Sequence, residues 1–348
     1  MARMSRKVKN VERTFVFNLG VPGESTIKSN GLYIDTMQCH SLVNRVFARQ
    51  GMNVLIDSLE VGCQPGGAFE ATILRLPQSW SCINAWEKTM IHWIDQQNDT
   101  ARDAGLESTR AGYRDFKIFF DAAHAQGGTG ANMIPSGFTT TAPATGGYDW
   151  NASQVVVPND GGVAGNTQEY YLHMLGDDQS VANNSKAMIK AYAESRSRPF
   201  ESDPNIVDVA SGGLFGEMED VGEIVPEIVN NFQEANQQPP YLVDRDTADE
   251  YYPGGVNQGT GPINPSGTVY PGQFVDILSV NASQNYNTDS TGGFIAPAGL
   301  IKIIINASGV NPQSPVDVGD APFPLWVKVK LAPGYYQGIA AEHMQEVN

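Results

Sequence analysis

Between residues 13 and 76 the chain is cut into short runs of β-formers by turns containing Gly or Pro. This segmentation limits the possible folds more than any other feature. Residues 13–19, 31–35, 42–47, 52–61 and 69–76 each read as a strand, and Gly20 and Pro77 close the first and the last. In 52–61 a strict alternation puts Val54, Ile56, Ser58 and Glu60 on one face and Leu55, Leu59 and Val61 on the other. The pattern returns near the C-terminus at 275–280, 300–306 and 325–331. There, Ile301, Ile303, Ile304 and Ile305 flank Lys302 in a nearly continuous apolar run, as expected of a strand that is central or covered on both faces. Trp326, Lys328 and Lys330 alternate with Val327, Val329 and Leu331. Strands this short and frequent imply a β-sandwich or barrel.

The middle of the chain adds helices. Asn84 and Glu87 form a capping-box pattern. Trp86, Met90, Trp93, Ile94 and Gln97 then recur at helical spacing up to a stop at Gly105, a stripe expected to pack on a sheet edge or between subunits. Residues 113–120, 154–157 and 169–175 read as strands, 125–153 as a loop too polar for a core, and 185–197 as a helix capped near Asn183, Asn184 or Ser185. A further amphipathic stretch lies at 223–236. With 36 Gly, 21 Pro and only 17% charged residues, the composition is that of a folded, loop-rich protein. No apolar run approaches the roughly 18 residues of a membrane-spanning helix, and the basic N-terminus is not followed by the apolar stretch of a secretory signal. Cys39, Cys63 and Cys82, without CxxC spacing, are expected to be buried reduced thiols.

Charge is unevenly distributed. The formal net charge is −16, yet Arg3, Arg6, Lys7, Lys9 and Arg13 face a single acid, Glu12, in the first 13 residues. From Pro199 to Ile301 one base, Arg245, stands against 15 acids. Such a body repels phosphate, whereas the basic tip attracts it, so nucleic-acid contact is expected at the tip alone.

Catalytic signatures are missing: there is no GxGxxG after a strand, no Walker A loop, no HExxH and no GxSxG. His40, His92, His124, His173 and His343 are scattered and read as structural or solvated. Two acidic groups, Asp177-Asp178 and Asp244/Asp246/Asp249/Glu250, lack the EF-hand spacing for calcium. The expectation is a non-enzyme without metal or cofactor.

Several runs occur in a consistent order across most of the chain: Leu76-Pro77-Gln78-Ser79-Trp80 with Asn84-Ala85-Trp86-Glu87-Lys88, Tyr113-Arg114-Asp115-Phe116-Lys117, Leu175-Gly176-Asp177-Asp178 with Lys190-Ala191-Tyr192, and Tyr252-Pro253-Gly254-Gly255. With the basic tip and the inserted helix, they resemble the capsid proteins of environmental, largely marine, small circular single-stranded DNA viruses. The resemblance implies an all-β viral jelly-roll sandwich with inserted helices and long loops. A double jelly roll is the alternative, but it needs sixteen strands against the ten to twelve legible here. It implies a basic arm at 1–13 and a capsid domain at 14–348 with a loop-rich acidic insertion at about 177–267. The function implied is that of a structural major capsid protein, self-assembling into an icosahedral shell around a viral DNA genome. It would be made in the host cytoplasm or nucleus and reside in the virion. Arg3, Arg6, Lys7, Lys9 and Arg13 would meet DNA on the inner face. Many such proteins carry a longer arginine-rich arm, so an internal membrane beneath the shell stays open. The rival class is a β-sandwich carbohydrate-binding or adhesin-type module.

Overall fold

Alternating side chains commit each strand to one buried and one outer face, and the strands satisfy that demand by pairing into stacked antiparallel sheets. The computed structural model describes residues 11–19, 31–65, 67–106, 108, 114–137, 150–158, 167–179, 184–197, 214–215, 218, 272–282, 287–307 and 325–344. In chain order the elements are β1 (Thr14–Leu19), β2 (Leu32–Asp35), α1 (Thr36–Asn44), β3 (Met52–Cys63), β4 (Gly67–Arg75), α2 (Trp80–Asp103), β5 (Phe119–Asp121), α3 (Ala122–Gly127), β6 (Gln154–Pro158), β7 (Thr167–Leu175) and β8 (Ser185–Ala187). They continue with α4 (Met188–Ser197), β9 (Gln273–Ala282), β10 (Asn287–Ser290), β11 (Phe294–Ala296), β12 (Leu300–Ala307), β13 (Leu325–Leu331), β14 (Pro333–Tyr336) and β15 (Ala341–His343).

One sheet has the order β1-β13-β3-β10, with β11 and β15 also on β3; a second has the order β2-β12-β4-β9; every pairing in both is antiparallel. The two sheets enclose a core that includes Phe15, Phe17, Ile34, Val54, Ile56, Leu59, Val61, Ile73, Ile303 and Val329. β12 is central, as its apolar run implied. Ile301, Ile303 and Ile305 enter this first core, while Leu300 and Ile304 enter a second one on the other face. That second core is closed by α2, α4 and a third, mixed sheet in which β7 lies between β5 and β6 and also pairs with β8. The whole third layer is inserted between β4 and β9.

Several expectations change. Residues 42–47 are not a strand: α1 runs to Asn44 because the Asp35 side chain accepts the N–H groups of Met37 and Gln38 as an N-cap. The strict alternation of β3 fails at Asp57, where Lys330 pairs with Ser58 and Leu331 with Ile56. This bulge turns Ile56, Leu59 and Val61 all inward. α2 starts at Trp80, not near Asn84; Ser79 Oγ accepts from Cys82 N–H, and Asn84 lies inside the helix. Of 114–120, the described part of the run, only Phe119 and Phe120 belong to a strand, because Lys117 and Ile118 give their N–H groups to Ser153 Oγ and Gln50 Oε1. The stretch 125–153 is not all solvated, since Trp150 is buried in the first core. The helix expected at 185–197 begins as strand β8, and α4 starts at Met188. In the acidic section Leu214, Phe215 and Met218 are buried in the second core, so that section does not lie wholly on the surface. The stretch 223–236 lies outside the described residues.

Candidate functional site

Arg3, Arg6, Lys7 and Lys9 lie outside the described residues; the root of the arm, Val11 to Arg13, lies within them. The root is held by backbone contacts. Asn44 at the end of α1 accepts from Glu12 N–H at 2.9 Å and donates its own amide to Glu12 O at 2.9 Å. Leu331 N–H donates to Arg13 O at 2.9 Å, extending the β1–β13 ladder. Gly338, at φ +95°, sits so close that a Cβ there would meet Val11. Arg13 is therefore fixed at one end of the sandwich, between α1 and the turn after β14.

The outer face of the β1-β13-β3 sheet offers little further attraction for a polyanion. Lys328 pairs with Glu60 at 3.1 Å and Lys330 with Asp57 at 2.6 Å, so its two lysines are already matched. Such half-exposed pairs contribute modestly to stability.

The densest polar constellation is sealed instead between the second sheet and the inserted layer. Lys302 Nζ donates to Asp121 Oδ2 at 2.6 Å, and Tyr33 Oη and His124 N–H donate to Asp121 Oδ1 at 2.7 and 2.9 Å. Burial alone would raise the Asp121 carboxyl, but the Lys302 ammonium and these hydrogen bonds outweigh it and hold it below its usual value. His124 accepts from Phe120 N–H through Nδ1, so Nε2 carries the proton donated to Asn132 Oδ1. Burial pushes this neutral imidazole down to about 4. Asn132 donates on to Gln38 Oε1, whose backbone N–H donates to Asp35. Asp35 also accepts from Gln50 and Trp150, and burial raises its carboxyl to about 6 against those hydrogen bonds. Lys302, Asp121 and His124 are all buried. The network fastens the inserted layer to the sandwich. Composition and spacing did not single it out; the one legible signal was Lys302 itself, a charge within an isoleucine run.

Asp177 and Asp178 lie near Lys190 at 3.5 and 3.3 Å, and Asp178 Oδ1 accepts from Ala187 N–H, a structural use of the pair first considered for calcium. The other acidic group, at 244–250, lies outside the described residues. Among the described residues no three His, Cys, Asp or Glu side chains converge as a metal site would require. Cys39, Cys63 and Cys82 are buried and unbridged, as expected. His40, His92, His124 and His173 are buried. An open groove of about 520 Å³ lies where the two sandwich sheets meet, with Arg75, Phe274 and Asp276 in its wall. Arg75 there donates to Gln273 Oε1 and Ile295 O, tying the sheets together. No protein-family model, curated protein or solved structure matches this chain.

Proposed function

We propose that this chain is a single-jelly-roll major capsid protein whose copies assemble into an icosahedral shell around a viral DNA genome. The observation that carries the reading is the strand order. Taking β1, β2, β3, β4, β9, β10, β12 and β13 as strands one to eight, the sheets run 1-8-3-6 and 2-7-4-5. That order supports reading the sandwich as an eight-stranded double-sheet jelly roll, an architecture used by viral capsid domains. The third layer, with its parallel β5–β7 and β7–β8 pairs, is unlike a second roll and favours the single one. The arm root at one end of the roll supports a polar subunit with its base-rich tip turned toward the genome, or toward an anionic membrane if one underlies the shell.

The roll is also used by lectins, so fold alone does not decide between a shell subunit and a sugar-binding module. Assembly does. Purified protein is expected to form closed shells, or their pentamers and hexamers, in electron micrographs and sedimentation profiles. A monomer persisting at high concentration across salt and pH, together with calcium-dependent binding to a glycan panel, would overturn the proposal in favour of the module.

A further inference from the structure

The buried Lys302–Asp121 pair has the arrangement of two reactants as well as of two counter-ions. The side chains are only 4% and 3% exposed, and Lys302 Nζ lies 2.6 Å from Asp121 Oδ2. Each is held from several sides. Lys302 stands on β12 opposite Tyr33 of β2. Its stem passes so near Gly31 that a Cβ there would come within 2.9 Å of Lys302 Cε. Asp121 ends β5 and caps α3. Its other oxygen, Oδ1, accepts from Tyr33 Oη at 2.7 Å and from His124 N–H at 2.9 Å. The His124 ring stacks on Tyr33 with centroids 4.2 Å apart, which fixes the phenol in turn. The two oxygens of this carboxyl are therefore not equivalent: Oδ2 meets the lysine nitrogen, and Oδ1 meets two hydrogen-bond donors.

From this geometry we infer that Lys302 and Asp121 are the site of an intramolecular isopeptide bond, an amide joining Lys302 Nζ to Asp121 Cγ with release of one water. The chain folds with the pair ionised. One proton then passes from Nζ to Oδ2 along their short contact, giving an amine and an acid, and burial opposes the charged form on both. The amine lone pair attacks Cγ, one bond beyond Oδ2. Negative charge develops on Oδ1, where Tyr33 Oη and His124 N–H are already placed as the donors of an oxyanion hole. A second proton moves from nitrogen to Oδ2, the Cγ–Oδ2 bond breaks, and Oδ2 leaves as water. The nitrogen keeps one hydrogen, Oδ1 returns to a carbonyl, and nothing is oxidised or reduced. The fold holds the two groups together, which replaces a bimolecular encounter, and the buried site shields the amide from hydrolysis. The insertion leaves the roll after Arg75 and returns at Gln273, neighbours in the β4–β9 ladder. The amide is a second covalent tie, between the inserted layer and β12, and it is independent of whether copies assemble.

The test is the intact mass of the full-length protein, fresh and after incubation in its folded state, with tandem mass spectrometry of its digest. Wild type should become lighter than its sequence by one water and yield a branched peptide joining Lys302 to Asp121. Lys302→Arg keeps the positive charge but offers no nucleophilic amine, and should retain the full mass. Lys302→Met with Asp121→Asn removes both charges and serves as the unlinked control if arginine does not fit above Gly31. Tyr33→Phe removes one oxyanion donor and should slow the loss of water about a hundredfold. Circular dichroism checks that each variant folds. Folded wild type that keeps its full mass throughout would overturn the inference and leave the shell reading to be decided by assembly. So would a lost water found in linear peptides, the mark of a succinimide, or the same loss in Lys302→Arg or the double variant. A wild-type rate in Tyr33→Phe would overturn the role assigned to Oδ1.

Discussion

Lys302 presents a problem that its neighbours solve. A lysine buried between two isoleucines is strongly unfavourable unless an acid meets it, and Asp121, 181 residues away in sequence, does so at 2.6 Å. Half of this pair was legible: a charge inside an apolar strand announces a buried partner. The identity of the partner was not, because Asp121 is far off in sequence and carries no local mark beyond its use as the N-cap of α3. Removing one member strands the other. Lys302→Met should therefore destabilise by about 3–5 kcal/mol in urea titrations, while adding Asp121→Asn should recover a large part of that loss. A double variant no better than the single would mean that Asp121 is held by Tyr33 and His124 and owes Lys302 little.

At the level of elements, α2 joins the layers. Its aromatic stripe was read correctly, since Trp86 and Trp93 are both buried, and of the two surfaces expected to receive it, a sheet edge or another subunit, the one found lies within the subunit. Trp86 packs edge-on against Phe116 and His343, and a Cβ on Gly51 would come within 2.3 Å of its ring. Periodicity reveals which side of a helix is apolar; it carries no information on which distant glycine makes room for it. Nor does it fix the cap: Asn84 matches a capping-box pattern, yet Ser79 caps the helix one turn earlier. Trp86→Ala is expected to cost about 3–5 kcal/mol. Gly51→Ala, a smaller chemical change, should still cost about 1–3 kcal/mol by forcing the indole aside. Thermal melts of the two variants test this, and a neutral Gly51→Ala would show that the ring moves freely. The β3 bulge escaped for a related reason: one extra residue in a ladder leaves no compositional mark, yet it reverses the facing of everything after it.

For the molecule as a whole, buried titratable groups link folding to acidity. Burial holds both His124 and His173 down at about 4, whereas an unfolded chain protonates them near 6.5. The unfolded state thus binds the extra protons, and stability falls as pH drops from about 6.5 to 4. Asp35 acts in the opposite sense: its carboxyl, raised to about 6, favours the folded state at low pH and loses that contribution as pH rises. Two histidines against one carboxyl leave about one net proton, a slope of about 1.4 kcal/mol per pH unit. Urea midpoints measured from pH 4 to 7 should rise with pH, and a flat profile would contradict the assigned protonation states. The sandwich was foreseeable from strand frequency, but its strand order was not, because pairing partners such as Thr14 and Lys330 come from opposite ends of the chain. That order also bears on how the molecule is made. β12 and β13, the last long strands among the described residues to leave the ribosome, lie inside their sheets rather than at the edges. Until β13 has emerged, β1 and β3 have no common neighbour, and until β12 has emerged, neither do β2 and β4. Folding of the sandwich must therefore wait until β13 has been translated, and contacts this distant in sequence form slowly. A ribosome that stalls before residue 300 releases two half-built sheets with open centres, so premature termination there yields an aggregating chain and not a trimmed subunit.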